Sequence, residues 1–60
     1  MSNLADVHIA ENVMINAQRE LRAYAEKPHK DLDQEARLVA ALRKATDDYL
    51  KTVIALNNAA

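Results

Sequence analysis

Sixty residues allow one domain, and a chain this short buries only about 60% of its unfolded surface. With no cysteine and only two histidines, disulfides, thiolate metal sites and an unaided structural zinc site are excluded, which leaves self-association to reinforce a thin core. A net charge of −1 at 28% charged residues gives no overall pull toward nucleic acid or anionic membrane.

The lack of glycine favours helices, because strand-rich folds rely on turn glycines. Half the residues are hydrophobic, but many are alanine, which buries little area. No apolar run is long enough to span a bilayer. The opening residues Met1-Ser2-Asn3-Leu4-Ala5-Asp6 lack the basic start and apolar stretch of a signal peptide, so a cytoplasmic protein is expected.

The first helix is predicted over about residues 4–26, capped by Ser2 or Asn3. Val7, Ala10, Met14, Ala17, Leu21 and Tyr24 recur at steps of three and four, the spacing of knobs-into-holes packing. Small and large residues alternate along this seam, so a neighbouring backbone can approach closely. Ile9 and Val13 lie on one flank of it, Leu4 and Ile15 on the other. An isolated hairpin leaves these four exposed, and such an apolar excess marks a contact surface.

The polar segment from Glu26 to Asp31 holds the single proline, Pro28, which drives the preceding residue out of the helical region. It predicts a turn over residues 27–30. Asp31 is an N-cap for a second helix, with Gln34 completing a capping box. Asp33 and Glu35 suit the positive end of that helix. The helix is predicted over about residues 31–57, with Asn57-Asn58-Ala59-Ala60 fraying. Its expected seam is Leu32, Val39, Leu42, Thr46, Tyr49, Val53 and Leu56, widened by Leu38, Ala45, Leu50 and Ile54. A stripe that wide exceeds what one partner helix needs. The polar face offers the i,i+4 pairs Asp33–Arg37, Arg43–Asp47, Lys44–Asp48 and Asp47–Lys51, which mark a solvated surface.

A short connection between long helices makes them antiparallel neighbours. The expected fold is all-α: one domain over residues 1–60, a two-helix hairpin that dimerises into a four-helix bundle. This plan resembles the Rop type of dimeric bundle in chain length, single turn and alanine-rich core layers. The resemblance is architectural and implies an alternative role in binding RNA by shape and basic face; the basic residues of this chain placed for such a role are Arg19, Arg22, Lys27 and Lys30. Glu11, Glu20 and Glu26 interrupt that patch, and no aromatic is placed for base stacking.

His8 and Glu11 share a helix face at the spacing of metal ligands, but too few further ligands accompany them, so no metal or cofactor is expected. His29 joins Lys27 and Lys30 in a basic tip that reads as a solvated loop. Glu35 and Thr46 fall at seam positions, Thr46 with its own helix carbonyl within reach and both able to fix register. Tyr24 and Tyr49 lie at the seam edge, where a ring is buried while its hydroxyl stays wet. The chain offers no serine beyond Ser2, no glycine-rich phosphate loop and no concave pocket for a small-molecule substrate, so catalysis is not expected.

The function expected is that of a non-catalytic interaction protein. It self-associates as a homodimer, and it binds and modulates a larger protein as inhibitor or adaptor. The interface residues expected are Val7, Ile9, Ala10, Val13, Met14, Ile15, Ala17, Leu21 and Tyr24. The chain's size suits a phage or mobile-element regulator. The alternatives are the Rop-like nucleic-acid binder and a purely structural assembly unit.

Overall fold

A computed structural model describes residues 3–59. Asn3 caps the first helix: its side-chain oxygen accepts from the Asp6 amide at 3.0 Å, and the Asp6 carboxylate accepts from the Asn3 amide at 3.2 Å. This is a reciprocal capping box that satisfies two otherwise orphaned donors. Ser2, the other candidate cap, lies outside the described residues. Helix α1 spans Leu4–Ala25 and closes at Glu26, whose amide donates to the Arg22 carbonyl at 3.3 Å. Lys27 donates to the Tyr24 carbonyl at 3.0 Å, and Pro28 follows where no further helical turn can form.

Helix α2 spans Leu32–Ala59. The Asp31 carboxylate caps it, accepting from the amides of Asp33 at 2.9 Å and Gln34 at 3.4 Å. The Gln34 side chain does not complete the expected box. The Asp31 amide donates instead to the hydroxyl of Tyr24, which also donates to the Asp31 carbonyl. Helix α1 thus supplies the second half of the cap on α2. Helix α2 runs past residue 57 to Ala59, with no glycine or proline to interrupt it; Ala60 lies outside the described residues.

The two helices pack as an antiparallel hairpin of 47 × 15 × 11 Å. Along α1, Val7, Ala10, Met14, Ala17 and Leu21 are half-buried and Tyr24 is buried, matching the heptad read from the sequence. Of the seam expected on α2, Val39, Leu42, Thr46, Tyr49, Val53 and Leu56 are half-buried, and Leu32 is exposed. Around buried Ala45, the row Glu35, Leu38, Leu42, Tyr49, Thr52 and Leu56 is half-buried at steps of three and four, and Val39, Thr46 and Val53 beside it are half-buried as well. Of the expected seam, Leu42, Tyr49 and Leu56 belong to this row. Val39, Thr46 and Val53 lie one residue past it, about 100° around the helix, and Leu32 is 79% exposed. Thr52, within the seam, donates its hydroxyl to the Asp48 carbonyl at 2.7 Å; this is the back-bond expected of Thr46.

The core is thin. Tyr24 and Ala45, 3% and 5% exposed, are the two buried apolar residues among those described. The accessible surface of 4781 Å² exceeds by about 900 Å² the roughly 3,900 Å² of a compact monomer of this mass. Among the described residues no helix is long and apolar enough to cross a membrane.

Candidate interaction surfaces

The single seam consumed by the hairpin leaves two apolar flanks, one on each side of the plane of the helices. The first is a groove between α1 and α2. Ala10 and Ala45 line its floor, Ile9 and Val13 its wall, and Asp6 and Asp48 also line it. The alanines let the backbones approach, which places Ile9 and Val13 high on the wall at 63% and 54% exposure. The groove is open to solvent and holds about 180 Å³. That is below the several hundred Å³ of a typical small-molecule site, but suits one or two aliphatic side chains from a macromolecular partner.

The second flank belongs mainly to α2. Leu32, Ala36, Val39, Arg43, Thr46, Leu50 and Val53 follow one another at steps of four and three, a second heptad row on the same helix. It lies about a quarter turn from the row that meets α1. Its first half is a shallow depression lined by Leu32, Glu35, Ala36, Val39, Ala40 and Arg43. Leu32, at the rim of this depression, is 79% exposed, and Leu50 and neighbouring Ile54 in the second half are 52% and 57% exposed. By register, half-buried Ile15 and Leu4 at 61% exposure sit on the α1 side of the same flank.

The residues expected to form an interface therefore separate into two groups. Val7, Ala10, Met14, Ala17, Leu21 and Tyr24 occupy the seam within the hairpin. Ile9 and Val13 line the groove, and Ile15 the opposite flank. The sequence reading missed that α2 carries two separate rows. It also missed the position of Asp6 and Asp48 in the groove. The first signal was present in the period of seven; the second was not, because it depends on which residues of the two helices lie level.

The polar candidates are spread out. His8 and His29 are exposed and Glu11 is half-buried. Among the described residues, no three His, Asp or Glu side chains gather where they could share a metal ion. Arg19, Arg22, Lys27 and Lys30 are all exposed, and the Lys30 ammonium donates to the Lys27 carbonyl at 3.0 Å. Of the i,i+4 pairs expected on α2, Asp47–Lys51 closes at 2.9 Å. Asp33–Arg37, Arg43–Asp47 and Lys44–Asp48 do not close, consistent with the small gain from an exposed pair. The Asp47 carboxylate, hydrogen-bonded to Lys51, raises the Lys51 ammonium above its ordinary pKa.

The chain matches no protein-family model, no curated protein and no solved structure.

Proposed function

We propose that this chain is a non-catalytic interaction module, a helical hairpin that pairs with a second copy of itself and docks onto a larger protein to modulate it. The observation that carries the reading is the pair of apolar flanks left over once α1 and α2 have packed. The excess of about 900 Å² of total accessible surface per chain is close to the roughly 800 Å² that each partner contributes to one standard interface. Two flanks on opposite sides provide for two partners.

The second row of α2 takes the other copy, because its register continues a helix-packing pattern. The groove of Ile9, Val13 and Ala45 takes the larger protein. Aliphatic walls with the carboxylates of Asp6 and Asp48 beside them suit an amphipathic helix whose aliphatic anchors neighbour lysine or arginine. The test is the variant Ile9→Lys/Val13→Lys. Its solution mass stays at that of the wild-type dimer, while a synthetic leucine–lysine amphipathic helix that perturbs the Ile9 and Val13 methyl resonances of the wild type no longer binds. A variant that falls to monomer would overturn the assignment, since the groove would then be the homodimer interface.

A further inference from the structure

The geometry points to an antiparallel, two-fold pairing of α2 with α2 of a second copy, centred between Arg43 and Thr46. This rests on the self-association reading and specifies its register. The row carries a depression near its start, lined by Ala36 and neighbouring Ala40 with exposed Leu32 at its rim, and exposed Leu50 beside Ile54 near its end. A two-fold axis places the same patch on both sides of the interface, so a row with a depression toward one end and Leu50 toward the other is complementary to itself only when antiparallel.

The row sets the register. With Arg43 level with Thr46 of the second copy, Val39 meets Leu50 and Ala36 meets Val53, so small residues face large ones in both halves. Shifting by one heptad in either direction sets Val39 against Arg43 or Asn57, whereas in this register, of the apolar residues, only Leu32, at the end of the row, faces a polar residue, Asn57. The charges agree with this alignment. Arg43 from each copy lies one residue from level with Asp47 of the other, a carboxylate that also holds Lys51, so each arginine meets an opposite charge near the dyad. The angle agrees as well. Two rows a quarter turn apart on α2 place α1 and the second α2 at adjacent corners of a square, the cross-section of a four-helix bundle.

Crosslinking tests the register, and the natural chain has no cysteine to interfere. The double variants Val39→Cys/Leu50→Cys and Ala36→Cys/Val53→Cys, treated with a short bismaleimide, give covalent dimers. The single variants Val39→Cys and Leu50→Cys do not, because equivalent positions lie about 16 Å apart along the axis in this register. The second pair leaves Val39 and Leu50 intact, so loss of packing in one variant does not decide the outcome. Solution mass of each variant is measured alongside. A dimeric mass with crosslinking by a single cysteine, or with neither double variant crosslinked, overturns the antiparallel register. A monomeric mass for the wild type overturns the self-association on which it rests.

Discussion

The hydroxyl of Tyr24, at the end of α1, clasps the backbone of Asp31, the cap of α2, donating to its carbonyl and accepting from its amide. The ring is the most buried large side chain among the described residues, at 3% exposure, so the one well-packed aromatic also fixes the turn. Tyr24→Phe keeps the ring and removes both bonds. Lost hydrogen bonds of this kind cost about 1 kcal/mol each, less here because Asp31 is exposed and water can substitute. The melting temperature is expected to fall by roughly 4–8 °C per kcal/mol lost, with helix content at low temperature unchanged.

Asn3→Ala removes the oxygen that accepts from the Asp6 amide. A cap deletion costs about 0.5–2 kcal/mol. Hydrogen exchange is expected to speed up in the first turn of α1 and to stay unchanged around Ala45. By contrast, Lys51→Ala removes an exposed pair and is expected to leave the urea unfolding midpoint unchanged.

Leu42→Asp places a charge in the seam that α2 shares with α1. An unpaired charge taken out of water costs several kcal/mol, and a core this thin has little margin. Circular dichroism is expected to show loss of cooperative melting. Retained cooperative melting would show that Leu42 does not face α1.

The basic residues Arg19, Arg22, Lys27 and Lys30 lie among Glu20 and Glu26, and the net charge is −1. Little counterion release is available to drive nucleic-acid binding. At low salt, double-stranded and hairpin RNA are expected to migrate unshifted with the protein. A shift that weakens steeply with salt would move the Rop-like reading ahead of the protein-binding one.

Much of this architecture was legible in the residues. Pro28 and Asp31 fixed the turn, and the α1 heptad from Val7 to Tyr24 is the row that α1 buries. The α2 seam was harder. Residues 38, 39, 42, 45, 46, 49, 50 and 53, all apolar except Thr46, satisfy two overlapping heptads, and periodicity alone merges them into one broad stripe. Packing against α1 resolves the ambiguity by choosing Ala45 over Thr46, since the small residue permits close approach and leaves no polar group to bury. The Tyr24 cap was not legible, because it joins residues seven apart across a turn whose path no local pattern dictates. Nor was the groove, which needs the level of Ile9 and Val13 against Ala45 and Asp48.

The central claim is that the surplus apolar surface is covered by a second copy. Its most direct test is molar mass by light scattering behind size exclusion, repeated across a wide concentration range together with thermal melting. The account predicts a mass of two 6.7 kDa chains and a melting temperature that rises with concentration. A mass of one chain, with cooperative melting independent of concentration, would contradict it.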